Sequence, residues 1–188
     1  PAARAATVFT IHNLAFQGIF PASAVETLGL PPASFSINGL EYYNQLSFLK
    51  AGLFYANAIT TVSPTYAAEI QTEANGGGLH GLLSDRRSTL TGILNGIDTD
   101  VWNPATDSHL ARKHDAANLD GKPPNKCALQ SRASLPPSGR PLLGVISRLT
   151  EQKGIDWIIA IAPQLVASSL QLVVLGSGEP LYERRLTE

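Results

Sequence analysis

Arg148 and Lys153 stand in the run Gly144-Val-Ile-Ser-Arg-Leu-Thr-Glu-Gln-Lys-Gly154. The apolar stretch from Pro141 to Ile146 reads as a buried strand. A short polar loop follows, and a helix is expected from Ile155. Two fixed cations beside a helix N-terminus make a site for an anion, and a diphosphate fits such a site well. The alternative is that both are ordinary surface charges flanking a strand-to-helix turn. A second apolar run, Leu170 to Leu175, leads into Gly176-Ser-Gly178. A lone G-x-G is weak evidence, but it gains weight from lying on the same sheet edge as Arg148. Near the other end, Ala6-Thr-Val-Phe-Thr-Ile-His12 is rich in β-branched residues and reads as a buried parallel strand. It delivers His12 and Asn13, and ligands of open α/β sheets collect at the carboxyl ends of strands. The bland reading is that this pair only satisfies backbone groups in a tight loop.

Several elements must position these residues. Phe16 to Leu40 is rich in glycine and proline and reads as a long insertion with one short helix at 22–28, a lid or an acceptor surface. Tyr42, Tyr43 and Phe48 could stack on sugar faces or simply pack at a core rim. A helix is expected over 46–56 and a strand over Ala58-Ile-Thr-Thr-Val62. A further helix is capped by Ser63 with Pro64 in its first turn. Gly76-Gly77-Gly78 reads as a flexible loop; no lysine follows at phosphate-loop spacing. A short helix over 79–86 and a strand over 90–94 follow, and Asn95-Gly96 should turn the chain sharply. The stretch 99–124 is polar, and the domain junction is placed near Asp98. His109 and His114 fit no closed metal site and read as solvated loop residues. Helices are expected over 125–134 and from Ile155, the latter with Ile158, Ile161, Ala162 and Leu165 on one face. Pro163 should kink or interrupt it. A last helix begins near Pro180.

The composition bounds the classes open to the chain. In its 188 residues, hydrophobic types make up 44% and charged types 15%, which describes a globular chain with a substantial core. A net charge of −1 argues against a general nucleic-acid or membrane-surface role. Cys127 is the single cysteine, so there is no disulfide framework. No apolar run approaches the ~20 residues of a membrane span. The chain lacks methionine and its ends lack closing caps, so a piece of a longer protein is expected. Strand and helix alternate on both sides of Asp98, which predicts an α/β chain with two parallel-sheet units, 1–98 and 99–188.

Six segments together resemble the bacterial-type glycogen synthases and the related starch synthases. They are His12-Asn-Leu-Ala-Phe-Gln-Gly18, the run from Leu49-Lys-Ala-Gly to Thr61-Val-Ser-Pro64, Ile93-Leu-Asn-Gly-Ile-Asp98, Trp102-Asn-Pro-Ala-Thr-Asp107, Ser147-Arg-Leu-Thr-Glu-Gln-Lys-Gly154 and Leu175-Gly-Ser-Gly-Glu179. They cover nearly the whole chain in the family's order. The resemblance implies a retaining glucosyltransferase of the GT-B type, two Rossmann-like domains facing a cleft, both incomplete here. The donor would be ADP-glucose and the acceptor the non-reducing end of an α-1,4-glucan, with no metal or cofactor and no nucleic-acid or membrane partner. Arg148 and Lys153 match the pair that binds the donor diphosphate. His12, with Asn13, matches the position beside the donor glucose. Asn95 matches an active-site asparagine at the hinge, and Gly176 a glycine-rich turn of the nucleotide domain. His12, Asn95, Arg148 and Lys153 are thus the expected catalytic set.

The departures are as informative. The family's Lys-Thr-Gly-Gly loop and its late glutamate-containing segment are not in this sequence, and His80 stands where many bacterial members have Asp. No carboxylate pair of the glycosidase type is apparent, and such transferases need none in that role. The isolated chain is expected to be inactive and, with cut sheets, marginally stable. The resemblance places it in the bacterial cytoplasm, or in a plastid for a plant or algal source. A glucan- or nucleotide-binding module without catalysis is the alternative.

Overall fold

The computed structural model describes residues 5–188, and the chain forms two compact units, Pro1–Ile97 and Asp98–Glu188. The first unit runs β1 (Val8–Ile11), β2 (Ile19–Pro21), α1 (Ala24–Thr27), β3 (Glu41–Tyr42), β4 (Gln45–Ser47), α2 (Phe48–Tyr55), β5 (Ala58–Thr61), α3 (Pro64–Glu69), α4 (His80–Asp85) and β6 (Leu90–Gly92). Strands β1, β5 and β6 form a parallel sheet in that order, with Val8 opposite Ala58 and Ile59 opposite Leu90. The helices lie on one face. Ile11, Leu14, Leu49, Leu53, Ile59, Ile70, Leu79 and Leu83 close a single core, with Phe9 packed against it. Alternation does the rest: Val8 on the opposite face is 66% exposed, and Thr10 and Thr60 share a 2.8 Å hydroxyl hydrogen bond. The first strand is therefore half-buried, where the β-branched run predicted burial on both faces.

Helix α2 seats directly on the sheet because residue 52 is glycine; a Cβ there would overlap the Phe9 ring. Its start differs from the expected one. Gln45–Ser47 is strand, and Ser47 caps α2 by accepting from Lys50 N at 3.1 Å. At its other end the Arg86 guanidinium donates to the carbonyls of Leu53, Phe54 and Ala56 at 2.9, 3.0 and 2.7 Å. Those are last-turn acceptors that no residue within the helix can satisfy. The Ser63 cap forms as expected, accepting from Tyr66 N at 2.9 Å. Residues 16–40 are less loose than their glycine and proline content suggests. Ile19–Pro21 pairs with β4 in a small antiparallel sheet ordered β2-β4-β3, over a second core of Val25, Leu40 and Leu46.

The second unit opens with turns. The Asn95-Gly96 pair does not turn; the chain runs irregularly through it and turns at Asp98, whose carboxylate accepts from the Asp100 and Val101 amides, both at 3.0 Å. A short acidic side chain that bonds two backbone amides ahead of it competes well with Asn-Gly for the bend. Helix α5 (Lys122–Arg132) precedes β7 (Leu142–Ile146), α6 (Ile155–Ala167), β8 (Gln171–Leu175) and α7 (Pro180–Thr187). β7 and β8 pair in parallel, Leu142 with Gln171 through Ile146 with Leu175. The core is small: Leu149, Ile155 and Tyr182, joined by Val145, Ile158, Ile159 and Val174. Three sequence expectations change here. Ile146 is 82% exposed, so β7 is not a buried strand. Helix α6 continues through Pro163, which is exposed, although such a residue costs about 3 kcal/mol. Its inward face is Ile155, Ile158 and Ile159, while Ile161 turns outward at 45% exposure.

Candidate functional site

The strands of the second unit end at Ile146 and Leu175, but pairing between the chains continues past them. Ser147 N donates to Leu175 O at 3.2 Å, Leu149 N to Ser177 O at 2.9 Å, and Glu179 N to Leu149 O at 2.9 Å. Leu149 and Gly178 form a parallel bridge. The loop carrying Arg148 and the glycine turn after β8 are thus zipped together at the carboxyl edge of the sheet. Glycine is required by close approach: a Cβ at Gly176 would overlap Ser147 O, and one at Gly178 would overlap Leu149 O. The spacing G-x-G signalled both positions, yet Gly178 is held as closely as Gly176, which the sequence reading singled out alone. A 3-10 turn over Glu151–Lys153 then leads to Gly154 at φ +68, a conformation glycine adopts without strain, which starts α6. Both Arg148 and Lys153 are exposed. Arg148, Lys153 and Gly176 therefore lie on one pair of joined loops, two cations and a glycine turn at the mouth of a parallel sheet. Such an arrangement can take up negative charge on a diphosphate-sized ligand.

The same loop has internal polarity. Thr150 Oγ1 is buried with no hydrogen-bond partner among the described residues. Leu149, at the root of the loop, packs on Tyr182, which is 8% exposed. Burial raises the Tyr182 phenol above its ordinary range, and Glu179, Asp156 and Glu151 raise it further, while Arg185 opposes them. Carboxylates are therefore interleaved with the cations, and the positive character of the site rests on the exposed ends of Arg148 and Lys153.

In the first unit, β1 ends at Ile11 and His12 follows, exposed. Asn13 is half-buried, and its side-chain oxygen accepts from Ala15 N at 2.9 Å. The turn-forming reading thus holds for that atom of Asn13, and His12 is left presented to solvent. Leu14 N is fixed by Tyr66 OH at 3.1 Å. Asn95 lies exposed on the irregular segment that leaves β6, separated from β1 by β5. The glycine triplet is not loose. Gly77 O accepts from Gln17 Nε2 and from Tyr42 OH, a Cβ at Gly78 would overlap Tyr42 OH, and Gly77 and Gly78 have φ of +51 and +78. Gln17, Tyr42 and Gly77 thus tie three separate segments beside the His12 loop, a linkage that no spacing in the sequence announces. Among the described residues no group of three or more His, Cys, Asp or Glu is gathered as a metal-ligand set, and no helix is long and apolar enough to cross a membrane.

Comparison with known proteins finds relatives along nearly the whole chain. A family model described as the starch synthase catalytic domain matches residues 1–85. Glycogen synthase of Nitrosomonas europaea is 54% identical over 184 residues, covering 97% of this chain and 37% of that protein. Glycogen synthase of Acidiphilium cryptum is 57% identical over 182 residues, covering 96% and 38%. The chain is homologous to the glycogen and starch synthases. The fold of that family is matched too: the catalytic domain of starch synthase IV from Arabidopsis thaliana, bound to ADP and acarbose, superposes with a TM-score of 0.88 at 38% identity. It covers 96% of this chain and 38% of the synthase. The chain spans about 37% of the length of the curated glycogen synthases it matches.

Proposed function

We propose that the protein to which this chain belongs is a retaining glucosyltransferase that moves glucose from ADP-glucose to the non-reducing end of an α-1,4-glucan. The observation that carries the reading is the joined loop pair bearing Arg148, Lys153 and Gly176, found in a chain that is homologous to glycogen synthases over nearly its whole length. Breaking the bond between C1 of the glucose and the diphosphate oxygen leaves negative charge on ADP and positive charge on the sugar. Arg148 and Lys153 would stabilise the first, most strongly where water is excluded. His12, with Asn13, would face the hexose, and Asn95 would act at the junction between two Rossmann-like domains of a GT-B enzyme. The acceptor's O4 replaces the phosphate oxygen at C1, and its proton leaves with ADP. The starch synthase bound to ADP and acarbose supports a nucleotide donor and a sugar-chain acceptor. A cytoplasmic setting belongs to the same proposal.

Lys153→Ala in the full-length protein tests the reading. Glucose transfer should fall by about two to three orders of magnitude, the scale of removing one charge-stabilising donor. Undiminished transfer would overturn the assignment, and ADP-glucose binding without any transfer by the unaltered protein would favour a binding module.

A further inference from the structure

The glycine turn after β8 is held by more than its pairing with the Arg148 loop. That pairing is made by Leu149 N with Ser177 O and by Glu179 N with Leu149 O. The two bonds flank Gly178, the residue bridged to Leu149, and leave its own N–H unused, as the slanted pattern of a parallel ladder requires. Glu183 takes that N–H: its Oε1 accepts from Gly178 N at 2.8 Å. Glu183 stands in the first turn of α7, where a carboxylate also answers the positive end of the helix dipole. The N-cap residue of α7, Glu179, makes no side-chain cap bond, so Glu183 does the work of tying the helix back to the turn. The anchor behind it is firm, since Tyr182, its neighbour in sequence, is buried in the cluster with Leu149 and Ile155.

We propose that Glu183 is a positioning residue for the donor diphosphate: it pins Gly178 against Leu149 and so sets where Arg148 stands. The inference rests on the transferase reading and adds what fixes the geometry of its anion site. The contacts run without a gap from the Glu183 carboxylate to Gly178, from the bonds flanking Gly178 to Leu149, and along the chain to Arg148. The approach is too close for a Cβ at Gly178, so the pinned register has little slack. Small displacements of a charge-stabilising group are costly to binding and rate. Charge and position act here with opposite signs. Removing a negative charge near an anion site by itself tightens anion binding, whereas losing the pin weakens it. Glu183→Gln removes the charge and keeps an acceptor oxygen; Glu183→Ala removes both.

The test uses the full-length protein. ADP affinity by titration calorimetry, the KM values for ADP-glucose and maltoheptaose, and amide hydrogen exchange over 147–154 are measured for the unaltered protein and both variants. Glu183→Ala should weaken ADP binding and raise the KM for ADP-glucose by about fivefold or more, the scale of one lost charge-assisted hydrogen bond. It should leave the KM for maltoheptaose in place and speed exchange at Ser147 and Leu149. Glu183→Gln should stay close to the unaltered protein in all four. Tighter ADP binding in both variants would show that only the charge matters and would overturn the proposal, as would a Gln variant as weak as the Ala variant. ADP bound equally by the unaltered protein and Glu183→Ala would also overturn it, and the donor site would stand. If the unaltered protein binds no ADP while exchange at Leu149 still quickens in Glu183→Ala, the donor reading fails and the hold of Glu183 on the loop stands.

Discussion

The two units hold their candidate residues by different means. In the first, side chains do the fixing: Tyr66 OH holds the backbone after His12, Gln17 and Tyr42 converge on Gly77 O, and Arg86 closes α2. Eight fully or nearly buried apolar residues stand behind them. In the second, backbone does the fixing. The Arg148 loop is held by main-chain bonds to Ser177 and Glu179 across two glycines, with only Leu149, Ile155 and Tyr182 buried beneath. A site held by backbone tolerates changes of neighbouring side chains but not an added Cβ. A site held by side chains behaves in the opposite way.

That contrast can be broken experimentally. The largest stability effect is expected from Gly178→Ala, whose Cβ would overlap the Leu149 carbonyl oxygen. It should cost about 3 kcal/mol, the upper end of overpacking, read from the denaturant midpoint. A loss below ~0.5 kcal/mol would show that the loop pair can slide apart, and the idea of a backbone-held site would go with it. Arg86→Ala comes next, at about 2 kcal/mol, because three last-turn carbonyls lose a charged donor. Its effect should appear as faster hydrogen exchange in Phe48–Tyr55 and leave the second unit unchanged. Equal acceleration in both units would mean they are not independently held. The smallest effect concerns Tyr182. Its phenol is raised in the folded chain, so the associated stability is fully present below pH ~10 and is lost as pH rises through the folded-state value. Unfolding curves should weaken above pH 10, and Tyr182→Phe should flatten that part of the profile. An identical alkaline slope in the variant would refute the role given to this phenol.

Much of this was open to reading from residue order. Ser63-Pro64 announces a capped helix, and β-branched runs announce strands, because both depend on interactions within a few residues. The cation pair and the G-x-G turn were legible for the same reason. Other features were hidden. Gln45–Ser47 looks like the start of an amphipathic helix, but pairing with Ile19–Pro21 makes it strand. Helix α6 is not interrupted at Pro163, which lies exposed within it. Asn95-Gly96 lost its turn to the carboxylate of Asp98. For the strand and the turn, a partner or a neighbouring side chain decided the outcome.

Taken alone, the order of residues determined that this is an α/β chain with cations at a strand's exit and an imidazole at another's. Those are properties of short windows, where spacing sets which face or end a side chain occupies. Only the folded chain decided that the loops of Arg148 and Gly176 are zipped through main-chain bonds, that Gly77 is clamped by Gln17 and Tyr42, and that Tyr43 is held at positive φ on an exposed tip. Each of these depends on groups distant in sequence meeting within hydrogen-bonding range, which is settled by packing of the whole unit and by nothing in the local pattern.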